Sequence, residues 1–379
     1  MSDAHALLLD QPPLTADRFA AIERRVAGVL RTDADVIVMQ GEALLPLEGC
    51  IRSAARPGAT ALNVITGPYG QTFGGWLRDC GATVVDIEVP YDTAVSAERV
   101  AAALAEHPGT ELVSLVHAEA ATGNTNPVAE IAEVVREHGA LLMLDAVASV
   151  AAEPLETDAW GVDLCVIGAQ KAMGGPAGVS AVSVSDRAWD RIRANPRAPR
   201  RSYLSLLDWK ERWIDTGRAV LPHAPAQLEM LALEASIDRI EATGGLAAAI
   251  TRHRAAAAAT RAGTLALADG GTSDADRLRP YVTEARAAAP VATTLRVPDA
   301  LDAHDLVASA STDFLPLVAG GGALAKEMIR VNHYGPDASL ETVVRTLSAL
   351  AGALRTAGLR GDAGAAVAAA EAAWTGATS

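Results

Sequence analysis

The chain predicts an α/β protein whose mostly parallel sheet is covered by helices on both faces. Two observations carry that expectation. From about residue 15 to about residue 190, apolar runs of strand length alternate with stretches whose apolar residues recur at helical spacing. Beyond Pro222 the alternation gives way to long alanine-rich helical patterns and a few short apolar runs, which mark a second, smaller unit. The 379 residues, 50% of them hydrophobic, are ample for a large core but too many for one compact unit.

In order, Thr15 caps a helix that runs to Leu30, and Val36–Met39 is a strand. Leu44–Ala55 is a helix in which Pro46 falls in the first turn, where its missing N–H is harmless. Strands at Thr60–Ile65 and Thr83–Ile87 bracket a helix at Gln71–Cys80. A helix at Ser96–Glu106, a strand at Leu112–Val116 and a helix at Val128–His138 follow. Strands at Leu141–Leu144, Leu164–Ile167 and Gly178–Val184 complete the first unit. In the second, a helix at Gln227–Thr243 stops at Gly244-Gly245, and another spans Leu246–Ala268. Ala292–Val297, Asp313–Val318 and Met328–His333 read as strands of a smaller sheet, with helices at Leu340–Ala357 and Ala365–Trp374. We divide the chain near residue 240, into a large domain with an N-terminal arm (1–240) and a small C-terminal domain (241–379), with the substrate cleft between them.

Forty-six acids against 32 bases give a net charge of −14, which speaks against a nucleic-acid partner. The densest basic run, Arg191 to Arg201, contains Pro196 and Pro199 and reads as a solvated surface loop. Cys50, Cys80 and Cys165 lie far apart with no CxxC pair, so neither a disulfide framework nor a zinc site is expected. With no signal pattern and no apolar stretch of bilayer length, a cytoplasmic protein without a membrane partner is expected.

The strongest functional signal is a pair. Lys171 stands in Gly168-Ala-Gln-Lys-Ala-Met-Gly-Gly-Pro-Ala-Gly178, after the apolar run Asp163–Ile167, and Asp145 closes the run Ala140–Leu144. A lysine and an aspartate at the ends of neighbouring buried strands are what a pyridoxal-type coenzyme needs. The amine forms a Schiff base, and the carboxylate keeps the ring nitrogen protonated so that the ring serves as an electron sink. Burial lowers a lysine pKa, which lets the same amine shuttle a proton. Gly174, Gly175 and Gly178 are expected to let the backbone approach the coenzyme.

The chain resembles the class V aminotransferase group of fold-type I pyridoxal-phosphate enzymes over nearly its whole length. The resemblance rests on His117-Ala-Glu-Ala-Ala-Thr-Gly123, Leu144-Asp-Ala-Val-Ala-Ser149 and Gly168-Ala-Gln-Lys-Ala-Met173, in order and at the expected intervals. Within the group it is most similar to the pyridoxamine–pyruvate aminotransferase branch. That finer match rests on Gln40-Gly-Glu-Ala43, Gly67-Pro-Tyr-Gly70 with Phe73-Gly74, Ile87-Glu-Val-Pro-Tyr91, Ala188-Trp189 and Ala194-Asn-Pro196. The resemblance implies a fold-type I transferase with a seven-stranded large-domain sheet, a smaller C-terminal α+β domain, and a homodimer or dimer of dimers with active sites at the subunit interface. It also implies pyridoxal 5′-phosphate as coenzyme and transfer of an amino group between an amine or amino acid and a 2-oxo acid. A lyase or a carbon–carbon bond-forming enzyme of specialised biosynthesis is the alternative on the same fold. A nucleotide-binding protein has thin support, because Gly67-xx-Gly70-xxx-Gly74 is neither GxGxxG nor a P-loop.

Carried over residue by residue, the resemblance puts Val147 against one face of the coenzyme ring and Tyr69 on the other. His117 and Thr122, with Glu119, lie toward the ring hydroxyl. Gly41 and Glu42 sit at the helix start that faces the 5′ group, Gln170 is a phosphate ligand, and Arg330 grips the substrate carboxylate. An arginine suits that last task because its planar fork makes two parallel bonds. Glu42 departs from the usual Ser-Gly-Thr segment. At about 4 Å and an effective dielectric of about 20, a like-charge pair with a phosphate costs roughly 4 kcal/mol. Leu221-Pro-His-Ala224 also lacks the tyrosine and threonine hydroxyls that often reach the phosphate. Unphosphorylated pyridoxal or pyridoxamine, as substrate in place of the phosphorylated coenzyme, is therefore the alternative; Gln170 speaks for phosphate. Gly321 replaces a second arginine of the branch, which points to a larger or different substrate than pyruvate.

Overall fold

Hydrophobic strands that alternate with amphipathic helices can bury both faces of a sheet only by stacking helices on each side, and the structure does this. It is a computed structural model that describes residues 11–267, 273–310 and 315–379. The first unit runs α1 (Ala16–Leu30), β1 (Asp35–Gln40), α2 (Leu44–Ala54), β2 (Thr60–Ile65), α3 (Pro68–Asp79), β3 (Thr83–Glu88), α4 (Ala97–Glu106) and β4 (Thr110–Val116). A two-strand ladder, β5 (Ala118–Glu119) and β6 (Asn124–Thr125), precedes α5 (Val128–His138), β7 (Leu141–Asp145), β8 (Leu164–Gly168), β9 (Val179–Val184) and α6 (Asp186–Ala194). α7 (Gln227–Ala242) buries Met230, Leu233, Ile237 and Ile240 in the core of the first unit, and the second unit contains α8 (Gly245–Ala266), β10 (Arg279–Pro280), β11 (Ala292–Arg296), α9 (Ala303–Ala310), β12 (Leu317–Ala319), β13 (Met328–Asn332), α10 (Leu340–Thr356) and α11 (Ala363–Thr378).

The seven-stranded sheet has the order β1-β9-β8-β7-β4-β2-β3. Only β9 runs against its neighbours; the other pairings, β8–β7, β7–β4, β4–β2 and β2–β3, are parallel. The central strands β7, β8 and β9 are buried along their whole length, as strands covered on both faces must be. One hydrophobic core fills this unit, and a second is built from α8, α10 and the smaller antiparallel sheet β10-β11-β13-β12. Among the described residues no helix is long and apolar enough to cross a membrane.

Element ends shift from the expectation by a few residues, and three differences have physical causes. The helix expected from Gln71 starts at Pro68, because proline in a first turn gives up no hydrogen bond. The basic run is not a loop throughout. Its first part is α6, capped by the Ser185 hydroxyl, which accepts from the Ala188 amide, and anchored by buried Ala188, Trp189 and Ile192. Arg191 pairs with Glu111 and Arg200 with Glu211, so these arginines are already neutralised. The strand expected at Asp313–Val318 begins outside the described residues; its described part is β12. Ala268, the expected end of the long helix, likewise lies outside them.

Fully buried Asn124 joins the ends of several strands. Its side-chain amide donates to the carbonyls of Thr66 (2.8 Å), Tyr91 (3.1 Å) and Thr93 (2.9 Å), pinning the β5–β6 ladder to the loops after β2 and β3. Asn124→Leu removes these bonds and strands carbonyls away from water. It should cost about 2–4 kcal/mol, read as a lower urea midpoint at unchanged slope.

Candidate active site

The carboxyl ends of β1, β2, β4, β7 and β8 open on one edge of the large sheet, where chain reversals leave backbone groups and side chains facing a common space. Asp145, the last residue of β7, is buried. Its carboxylate accepts from the Val147 amide (2.9 Å), and its carbonyl accepts from the His117 amide (2.9 Å). Burial pushes its pKa up to about 6, against the pull of Lys171 and the Val147 amide. Val147 is itself buried directly beyond it.

Lys171 lies past the end of β8, its amine 5.5 Å from the centroid of the Tyr69 ring. Burial drives the lysine pKa down and Arg330 adds to the effect, while Asp145, Glu119 and Glu42 oppose it. Tyr69 sits in the first turn of α3, partly buried against the core, and its phenol pKa is raised by burial and by the same carboxylates.

Glu119 is fully buried opposite Asn124 in the small ladder. A Cβ placed on Gly67 would fall 2.3 Å from its Cδ, so glycine there is what admits the carboxyl group. Among the described residues neither carboxyl oxygen is met by a well-aligned donor, the Gly70 and Tyr69 amides being close but poorly directed. Burial, reinforced by Asp145, raises its pKa to about 8; Lys171 and the nearby Gly70 and Tyr69 amides pull the other way without reversing it. His117 is buried with its ring edge-on to Trp160 at 6.0 Å, and burial alone holds its pKa down at about 4, so it is neutral near pH 7. The buried Thr122 hydroxyl donates to Asn124 Oδ1 (3.3 Å), and its carbonyl accepts from Thr294 of the small sheet (2.8 Å).

At the other end of the space, Gly41 has φ +139° and its amide donates to the Gly178 carbonyl (2.8 Å). Glu42 is turned toward the site's own donors. One oxygen accepts from Gln170 Nε2 (2.9 Å) and the other from the Leu44 amide at the start of α2 (2.8 Å). Arg330 lies in β13 between Thr294 and Val318. Its Nη1 donates to the Ala120 carbonyl (3.2 Å), and its Nε is buried without a partner among the described residues.

The structure thus gathers Lys171, Asp145, Tyr69, Glu119, Glu42, Gln170 and Arg330 around one space. His117, Thr122, Val147 and Gly41 form its backbone-tied margins. The lysine loop differs from expectation. Its glycines face α7 rather than the coenzyme space, because Cβ atoms would strike Arg239 at Gly174, Ser236 at Gly175 and Glu229 at Gly178. Glycine is there for helix packing, a demand that sequence cannot display without knowing the neighbour. Asn124 was also missed; its only signal is the Gly123-Asn124 pair, a turn former.

The unpaired buried atoms (both Glu119 oxygens, His117 Nδ1, Gln170 Oε1 and Arg330 Nε) beside an amine and an aromatic platform fit a polar, ring-bearing coenzyme. A model of the family described as aminotransferase class-V matches residues 17–278. The chain belongs to the class V aminotransferases. This aminotransferase is similar to a pyridoxamine–pyruvate transaminase of Mesorhizobium japonicum, 31% identical over 93% of this chain and 87% of that one. It is also similar to an alanine–glyoxylate aminotransferase of Drosophila melanogaster, 27% identical over 83% of this chain and 77% of that one. The solved pyridoxamine–pyruvate aminotransferase of Mesorhizobium loti superposes with a TM-score of 0.90 and 29% identity, covering 99% of this chain and 94% of the other. A ureidoglycine–glyoxylate aminotransferase from Bacillus subtilis shares the fold at 22% identity, with a TM-score of 0.86 and coverage of 99% and 95%. The family is pyridoxal-phosphate-dependent and acts on an amino donor and a 2-oxo acid.

The elevated Glu119 pKa sets a pH test on this aminotransferase without its coenzyme. Between the unfolded value of 4.5 and about 8 the folded state binds the extra proton, so this group's contribution to stability falls as pH rises through that window. Asp145 does the same only up to about 6. Glu119→Gln should therefore gain stability relative to wild type as urea midpoints are followed from about pH 6 to pH 8. A pH-independent difference would mean that Glu119 is ionised throughout.

Proposed function

We propose that the chain moves an amino group between an amine or amino acid and a 2-oxo acid at the Lys171–Asp145 pair, with Arg330 receiving the substrate carboxylate. The observation that carries this reading is the buried Lys171 amine, set beside the Tyr69 ring and in the field of Asp145. When bound, pyridoxal phosphate supplies a carbonyl that condenses with amines and a ring that accepts the electron pair of a broken C–H bond. Lys171 would hold it covalently, Asp145 at the ring nitrogen, Tyr69 and Val147 at the two faces, and Thr122 and His117 at the ring hydroxyl. Gly41, Glu42 and Gln170 would meet its 5′ end.

The residues divide the work by their environments. Burial favours the neutral Lys171 amine, so it can take a proton from the substrate carbon and return it. A cationic partner would bring Asp145 back to its ionised form, reversing the effect of burial. Arg330 has one nitrogen oriented by Ala120, and its unpaired Nε remains to receive a carboxylate oxygen. We further propose that residues 1–240 form the coenzyme-holding domain, that residues 241–379 bring Arg330 to it, and that two copies pair as a homodimer, alone or within a dimer of dimers.

Borohydride treatment of the protein loaded with pyridoxal phosphate should give a peptide bearing the coenzyme mass at Lys171. Lys171→Ala should lose both the adduct and amino transfer while keeping the fold by circular dichroism. An adduct that persists on another lysine would overturn the assignment.

Glu42 favours a narrower reading. Its two oxygens take up the Leu44 amide and Gln170, donors that a 5′-phosphate would need, and a carboxylate there repels a dianion. Unphosphorylated pyridoxamine or pyridoxal then serves as a substrate rather than as a resident coenzyme. Glu42→Ser should shift relative affinity toward the phosphorylated form by about tenfold or more, read by fluorescence titration with both forms. Pyridoxal phosphate found tightly bound in purified wild type, by mass spectrometry, would rule this narrower reading out and leave the aminotransferase standing.

A further inference from the structure

The geometry points to Arg239 as a positioning residue that holds the Arg330 strand in register with the Lys171 loop. The inference rests on the reading that Arg330 receives the substrate carboxylate.

Lys171 belongs to the large sheet and Arg330 to the small one, so their separation depends on how the two units are joined. On one side the joint is made by the segment after Glu119. The Thr294 hydroxyl donates to the Thr122 carbonyl, and Arg330 itself donates to Ala120. On the other side the two backbones meet directly. Gly174 and Gly335 both adopt left-handed conformations, with φ of 60° and 52°. A Cβ on Gly335 would lie 2.6 Å from Gly174 Cα, and one on Gly174 would lie 3.0 Å from Gly335 Cα. Nothing larger than glycine permits this approach at either position.

Arg239, on α7, clasps the contact. Its Nη2 donates to the carbonyls of Met173 (2.6 Å) and Gly174 (3.0 Å), and it lies 2.5 Å from where a Gly174 Cβ would be and 3.6 Å from where a Gly335 Cβ would be. Both flanks transmit position. The Gly174 amide donates to the Lys171 carbonyl (2.8 Å), closing a tight turn immediately after the lysine. Beyond Arg330, the His333 amide donates to the Val291 carbonyl (2.8 Å), and the buried His333 ring bonds the Thr293 hydroxyl (2.9 Å). The Ala338 amide then closes the turn on the Gly335 carbonyl (3.2 Å). On the Lys171 side the path is hydrogen-bonded, with Arg239 at its end; from there it crosses to the Arg330 side through the close Gly174–Gly335 backbone contact. Arg239 is exposed apart from its guanidinium bond to Met173, so its loss leaves no buried charge. What it loses is alignment, and small misplacements of a binding group cost rate steeply.

The test compares the wild-type holoenzyme with Arg239→Met, Arg239→Lys and Gly335→Ala, using alanine as donor and glyoxylate as acceptor. Arg239→Met should raise KM for glyoxylate roughly tenfold while kcat changes by less than about threefold. The coenzyme absorbance and melting temperature should stay at wild-type values. Arg239→Lys, which keeps a cationic donor, should recover part of the loss, and Gly335→Ala should reproduce it. Hydrogen–deuterium exchange of the coenzyme-free proteins gives a second readout. In Arg239→Met, peptides covering 171–178 and 333–338 should exchange faster together. Unchanged KM, a loss confined to coenzyme affinity, or faster exchange in only one of the two segments would overturn the role. If wild type transfers no amino group, the reading of Arg330 fails on its own, and the exchange comparison alone decides whether Arg239 joins the two segments.

Discussion

Keeping the Lys171 amine out of water is the constraint on which the rest of the site depends. A buried ammonium is expensive unless opposite charge stands close, and a buried carboxylate is expensive for the same reason. The fold meets both demands by ending β7 and β8 side by side, so that Asp145 and Lys171 emerge into one space. The balance is not even, however. Glu119 and Glu42 add two more carboxylates while Arg330 adds one cation, and the proton retained by Glu119 near neutral pH relieves the excess negative charge. Among the described residues the Glu119 oxygens and Arg330 Nε meet no hydrogen-bond partner, and these are groups that a polar ligand would satisfy.

That electrostatic arrangement needs stiff backbone behind it. The parallel strands deliver their carboxyl ends to one edge, but the turns beyond them would be loose without cross-ties. Asn124 gathers three carbonyls from two loops, Gly41 is bonded to Gly178 across the β1–β9 pair, and the His117 and Ala146 amides continue the ladder past the strand ends. Close approach is repeatedly secured by glycine: Gly67 admits Glu119, and Gly174 admits Gly335. Each of these glycines marks a place where two segments distant in sequence press backbone or carboxyl against each other.

This explains what could be read in advance. Strand and helix periodicity depends on neighbours within one element, so the parallel sheet and nearly every element of the first unit were legible. The Lys171–Asp145 pair was legible because both residues close apolar runs. The partners of the lysine-loop glycines were not, since Glu229, Ser236 and Arg239 come from a helix with no local link to that loop. The same holds for Glu42. Its place at a helix start was foreseeable, whereas its direction is fixed by Gln170, 128 residues away in sequence. The start of α3 at Pro68 and the helical part of the basic run were readable from local rules, a proline in a first turn and a serine cap, that pull against the Gly-Pro and arginine-rich appearance of those segments.

The substrate end follows the same logic of one charge at a time. Arg330 is held by a carbonyl rather than a carboxylate, so its full positive charge stays available to a ligand. Gly321, where the resemblance would have put a second arginine, lies in the turn after β12, and a Cβ there would meet nothing within 4 Å. The change removes a cation without filling its place. On the proposed reading Arg330 is the anchor for the substrate carboxylate, and selectivity beyond that anchor falls to the shape of the residues around it.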